Sequence, residues 1–384
     1  MVSERYGSSA LSRRRLLKSM GAGTAMACGA GLSPLLGAAS AQAQVAGGRP
    51  VRLTEFVYLG GNQPQIPREL IAQYQARNSN VQVDVLEGNN ARDFPKIIAQ
   101  HRIDPKNPLV HFGHFTPDSI AKGMLEDLWL KLDPAKVPNM ALAVDSLRFP
   151  HGCAVGFGLW AVGFVYNKKF VKEPPVSWDD LFAPRFKGRV ILFDYAWLIN
   201  GFMGVAYANS RKQPAIDAAF EKYAKAARDG QFLAMYTSNQ QAKEILARGD
   251  AWMAPQFLNL AVTWNNDEVQ RGADAPFGYT VPKEGAVGSP NDLAIMKACT
   301  PDQREVAEYL TNLSLDPEVV GRYCTLTSTI PGIKGAKVGG KLSEEPLFQP
   351  SVAENVIIQD SDLVAAKDSD WRQRWDREVK SVMK

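Results

Sequence analysis

Apolar and polar positions follow two alternating rhythms over the stretch 51–124. Val51–Leu59 and Val81–Leu86 read as strands, the second alternating. Between them, Ile66–Arg77 carries Leu70, Ile71 and Tyr74 on one helical face, with Pro67 in its first turn. The pattern then repeats as a helix over Asp93–His101, a strand near Leu109–Phe112 and a helix over Pro117–Met124. Strands alternating with helices predict parallel strands covered on both faces, an α/β fold.

From about Pro150 the pattern changes. "GFGLWAVGFVYN" (156–167) is one extended run with glycines at 156, 158 and 163, which suits a strand crossing between two lobes. Next, Ser177 stands three residues before Asp180, the spacing of a capping box. Pro174 and Pro175 stiffen the entry, Trp178 and Leu181 supply apolar contacts, and Pro184 stops the turn. This segment is scaffold. A strand over Val190–Phe193, a helix from Gly201, helices over Pro214–Ala227 and Gln240–Arg248, and a strand over Ala251–Ala254 make a second α/β set.

The first forty residues change the charge picture. Ser12-Arg13-Arg14-Arg15-Leu16-Leu17-Lys18 has the twin-arginine pattern, and a weakly apolar, Gly-rich stretch follows, interrupted by Pro34. Residues 1–41 are expected to be an export signal cleaved after Ala41. The whole chain carries 44 basic and 40 acidic residues. Five basic and one acidic belong to the signal, so the mature chain is neutral and has no electrostatic footprint for nucleic acid. Of four cysteines, Cys28 leaves with the signal. Cys153, Cys299 and Cys324 remain; Cys299 and Cys324 flank one predicted helix, and the alternatives are a disulfide between them or three partly buried thiols.

Catalytic signatures are absent: there is no Gly-x-Ser-x-Gly, Walker loop, His-Glu-x-x-His or dinucleotide motif. His111 and His114, with Asp118 beyond, suggest a metal site only on a helix, and Gly113 and Pro117 argue for a loop. The expectation is packing or a ligand hydrogen bond, with no metal and no cofactor.

One ordered set of segments carries a family resemblance. Tyr166-Asn167-Lys168, "PPVSWDDL" (174–181) and Pro184-x-x-Lys187-Gly188 precede an apolar strand. "GMLEDLWLKLD" (123–133), "LARGDAWMA" (246–254), "VPKEGAVGSPNDLAIMKAC" (281–299) and "EVAEYLTNLSLDPEV" (305–319) complete the set. The chain resembles the extracellular solute-binding proteins of bacterial ABC importers, in the spermidine/putrescine-like group.

That resemblance implies a two-lobed periplasmic binding protein of type II, with a mixed sheet in each lobe and a hinge between them. Lobe one would be 51–159 plus 285–331, and lobe two 160–284 plus 332–384. It implies a monomeric periplasmic receptor that hands a small solute to a permease in the inner membrane. A periplasmic enzyme and a binding protein feeding a membrane sensor are the alternatives.

In such folds ligands meet strand ends and helix amino termini. Three stretches qualify: Tyr58–Gln63, including Asn62 beyond Gly60-Gly61; His114, Phe115 and Thr116, the last a helix cap before Pro117; and Asp194, Tyr195 and Trp197 after a strand. Trp160 and Gln256 are further candidates.

The polyamine receptors carry an aromatic-x-Asp motif before a Leu-Ala-Ile run, where this chain reads Ser289-Pro290-Asn291. Their second aspartate would fall at Tyr195. The expected solute is polyamine-like, amino-acid-like or a carboxylate or phosphonate, and both departures weigh against the polyamine.

Overall fold

The computed structural model describes residues 45–59, 62–194 and 197–383. The expected signal over 1–41 lies outside these residues, as do Gly60, Gly61 and Tyr195.

The first alternation forms as the pattern predicts. It runs β1 (Val51–Tyr58), α1 (Gln65–Arg77), β2 (Val81–Gly88), α2 (Asn90–Ile103), β3 (Phe112–Phe115) and α3 (Pro117–Leu125). β3 begins three residues later than its apolar run suggests, because pairing with β1 defines it: Glu55 faces Phe112 and Phe56 faces Gly113. Residues 112–115 are therefore strand rather than loop. Gly113 has φ 144°, and a Cβ there would stand 2.0 Å from the Phe56 carbonyl oxygen, so only glycine allows this approach.

The crossing strand is β4 (Ala154–Asn167). After it come β5 (Val190–Phe193), α4 (Phe202–Tyr207), α5 (Ile216–Arg228), β6 (Phe232–Tyr236), α6 (Asn239–Arg248), β7 (Met253–Phe257), α7 (Leu258–Gln270) and β8 (Phe277–Thr280). β9 (Val287–Ile295) returns alongside β4. The chain ends with α8 (Pro301–Ser314), α9 (Pro317–Thr327), β10 (Ile330–Pro331), α10 (Pro350–Glu354), β11 (Ile357–Ile358) and α11 (Ser361–Glu378).

Between β4 and β5, Trp178–Phe182 is a single 3₁₀ turn closed by the Ser177/Asp180 capping box. Trp178 is fully buried and its indole donates to the Gly285 carbonyl at 2.9 Å. The segment is structural.

Among the described residues the strands join in one mixed path, β2-β1-β3-β9-β4-β7-β5-β6. β1 pairs in parallel with β2 and β3, and β5 with β6 and β7. β9 runs antiparallel to β3 and β4. The described residues hold together as one unit, yet its apolar interior is divided. One core takes residues from β1, α1, β3, the first part of β4, α8 and α9. Two others gather around β5 to β7, α5 and α11.

β4 changes core between Ala161 and Val162 and the C-terminal segment between Val356 and Ile357, while on β9 Val287 lies in the second core and Leu293, Ala294 and Ile295 in the first. Val162 and Ile357 are both register partners of Val287, so the three crossings lie side by side. The segment 332–384, expected whole in the second lobe, divides at that point. Ile333, Val338, Phe348 and Val356 pack into the first core, and Ile357, Trp371 and Trp375 into the second.

Candidate functional site

Parallel strands direct the helices that follow them so that helix amino termini gather at the strand ends. Here Asn89 caps α2 by accepting from the Arg92 amide, and Thr116 caps α3 by accepting from the Ser119 amide at 3.3 Å. Asn90 ties the two starts together, its side chain lying 3.4 Å from the His114 carbonyl and from the Thr116 amide.

Both helix starts open on a cavity of about 310 Å³. Tyr58, Leu59 and Gln63 close one side, Trp160 of the crossing strand another, and Ser289, Pro290 and Asn291 of β9 the floor. Trp160 is braced edge-on against Phe257, 5.9 Å between centroids. No charged side chain lines the cavity among the described residues. Its unengaged groups include a donor: Asn291 is 3% exposed and its Nδ2 has no partner. The Tyr58 hydroxyl is likewise buried without a partner. Helix amino termini add partial positive charge, so the cavity suits a neutral or negatively charged group.

A buried ionisable layer lies behind it. The Glu55 carboxylate is 3.8 Å from His114 Nε2, and both side chains are almost fully buried. Burial pushes the Glu55 carboxyl up to about 8 and the His114 imidazole down to about 3. Burial, then Asp292 and Tyr323, raise the Tyr58 hydroxyl well above the ordinary phenol range. Tyr323 donates to Gln63 at 3.0 Å, linking this layer to the cavity wall.

The predicted site residues separate. Tyr58, Thr116, Trp160, Ser289 and Asn291 line the one cavity. Asn62 is exposed nearby and donates to the Leu326 carbonyl at 3.2 Å. His114 and Phe115 do not reach the cavity. His114 is enclosed by Tyr58, Phe157 and Tyr323, and Phe115 packs against Phe56, Phe94 and Trp129. Both belong to β3, whose four residues are all buried because sheet neighbours flank it on both edges.

The second-half candidates serve the fold. Trp197 sits among Phe202, Trp371 and Trp375 and donates to Asp368 at 2.8 Å. Asp194 pairs with Lys380 at 2.6 Å. Gln256 is fully buried and bonded to Tyr236, Asn239 and the Phe257 amide. Tyr195 lies outside the described residues.

The histidines hold no common site. His111 accepts from the Thr54 amide through Nδ1 at 3.0 Å, and its Nε2 meets Gln303 at 3.1 Å. Cys153, Cys299 and Cys324 are free, buried thiols. Gly88, Asn89, Asn90 and Ala91 were not among the predicted site residues. Their signal is "GNNARD" (88–93), an Asn cap before a helix with an acid in its first turn.

A family model described as bacterial extracellular solute-binding protein matches residues 69–350. The spermidine/putrescine-binding periplasmic protein of Escherichia coli (strain K12) is 25% identical over 263 residues, 65% of this chain and 68% of that protein. A solved structure of an ABC transporter protein from Clostridium perfringens ATCC 13124 superposes with a TM-score of 0.69 at 17% identity, covering 86% of this chain and all of that one. The spermidine/putrescine ABC transporter substrate-binding protein of Streptococcus pneumoniae does so with 0.62 at 20% identity, over 85% and 98%. No helix among the described residues is long and apolar enough to cross a membrane. The match over most of the chain and the shared fold lead to one conclusion: the chain belongs to the bacterial extracellular solute-binding proteins, a family of ABC-transporter receptors and not of enzymes.

Proposed function

We propose that this protein captures a small organic solute bearing a carboxylate, phosphonate or zwitterionic group and hands it to an ABC permease in the inner membrane. The observation that carries the ligand class is the cleft itself. It has no charged side chain among the described residues, two helix amino termini, and an unengaged Asn291 amide. A diamine would need carboxylates there, and the aspartate that a polyamine receptor places at this position is Asn291. The E. coli relative is named for spermidine and putrescine.

In this reading the protein is a periplasmic monomer exported through its Ser12–Lys18 signal. The two halves close about the three adjacent crossings, and solute bridging them stabilises the closed form by its higher affinity for that form.

Isothermal titration with matched carboxylates, phosphonates, amino acids and diamines tests the class. The expected result is binding of an anionic or zwitterionic member that Asn291→Ala weakens. Binding of diamines alone, weakened by the same substitution, would overturn it.

A further inference from the structure

On the other side of β9 a second cavity, of about 140 Å³, lies between α3 and the first turn of α11. Asp292 lines it. This residue is 1% exposed, and neither carboxylate oxygen has a hydrogen-bond partner. Gln359, two residues beyond the third crossing, also lines it, and its Oε1 is buried and unpartnered. Ser361 and Asp362 add oxygens at the start of α11, and no lysine or arginine takes part. Ile120, Phe149 and Ile358 make apolar walls.

Buried acceptors without donors are costly, and a carboxyl group costs most. The titratable groups facing Asp292 do not relieve it. They are Tyr58 on β1, His151 and Cys153 just before β4, and Asp362 on α11. His151 uses Nδ1 to accept from the Cys153 amide at 3.1 Å, and burial lowers its basicity. Metal ligation is a poor match, because no cluster of three His, Cys, Asp or Glu occurs among the described residues. Burial raises the Asp292 carboxyl well above the ordinary carboxylate range, so the cavity keeps it neutral and an incoming cation takes the place of its proton. A carboxyl, an amide oxygen and hydrocarbon walls match a compact ammonium group on a short alkyl chain.

We infer that this hinge cavity binds a small primary alkylammonium ion, its NH₃⁺ group donating to Asp292 and Gln359 and its chain lying along Ile120, Phe149 and Ile358. The walls come from α3 and β9 on one side and from the segment just past the third crossing on the other. An occupant therefore touches α3 and β9 together with the segment that follows the third crossing. The site is separate from the solute cleft and stands whether or not the cleft's ligand class is as proposed.

The test uses the mature protein with n-butylammonium chloride, read by thermal shift and by calorimetric titration. n-Butanol and sodium chloride at equal ionic strength are the controls. The expected result is a concentration-dependent rise in Tm with butylammonium alone. Asp292→Asn should weaken binding about tenfold or more, and Gln359→Leu should weaken it less while leaving the buried carboxyl in place. Asn291→Ala, in the cleft, should leave butylammonium binding unchanged. Absence of butylammonium binding to the unsubstituted protein would overturn the inference. Equal binding by it and by both cavity variants would do the same, as would an equal response to butanol.

Discussion

Asn291 and Asp292 are consecutive on β9, yet the first lines the solute cleft and the second the hinge cavity. Successive strand residues point to opposite faces, so a two-residue polar pair serves two chambers. On the Asn291 side the helix amino termini and an amide donor favour negative charge. On the Asp292 side the unengaged groups are an amide oxygen and a carboxyl that burial holds neutral until a cation pairs with it. Neighbouring positions can therefore carry opposite ligand preferences, and "SPND" cannot be read as a single motif.

The largest expected effect comes from erasing the difference. Asn291→Asp puts a carboxylate where a donor stood, replacing a hydrogen bond to the solute's anion with repulsion. Solute affinity should fall by about 3 kcal/mol, roughly a hundredfold in Kd, by titration calorimetry. An unchanged Kd would remove Asn291 from the contact.

The buried layer behind the cleft provides the next test. Glu55 and His114 together hold one proton from about pH 3 to about 8, whichever of the two carries it. Unfolded, the carboxyl titrates near 4.5 and the imidazole near 6.5. Between 4.5 and 6.5 both states hold one proton, and the pair adds no pH dependence. From 6.5 to 8 the folded state holds the extra proton, so stability falls as pH rises, by about 2 kcal/mol. From 4.5 down to about 3 the unfolded state holds the extra proton, and stability falls as pH falls. Urea unfolding should show the alkaline loss shrinking in Glu55→Gln; a loss of undiminished size would assign it to other groups.

A smaller effect is expected at the rim. Thr116→Ala removes the cap of α3, for about 1 kcal/mol of stability by thermal unfolding, and should weaken solute binding severalfold. A variant as stable as the parent would show that the cap contributes nothing. The smallest effect on binding belongs to Trp197→Phe. Its indole packs in the second core and bonds Asp368, so stability should drop by about 1 kcal/mol with Kd unchanged within about twofold. A large loss of affinity would return Trp197 to the site.

The sequence alone predicts the fold best where periodicity and caps agree. Val190–Phe193 is predicted at both ends, and α1 and α3 come within one residue at each end. α7 was not predicted, because Phe257 stands at its start with no capping side chain and no acid in the first turn. β6, "FLAMY" (232–236), is too short and too uniformly apolar to mark itself. Within the cleft, Thr116 was legible through its cap and Pro117, and Ser289 and Asn291 through the family resemblance. Phe115, Trp197 and Gln256 were not separable from ligand contacts, since an aromatic or amide at a strand end fills a core equally well. Asp292 drew no reading beyond its place after Asn291, because its isolation depends on which neighbours the bulge opposite it, at Gly156/Gly158, leaves within reach.

The most direct test is mass spectrometry of the small molecules released from the purified mature protein, run beside Asn291→Ala. The account predicts a stoichiometric solute carrying a carboxylate, phosphonate or zwitterionic group, depleted in the variant. A polyamine retained by the parent and lost from Asn291→Ala would contradict it.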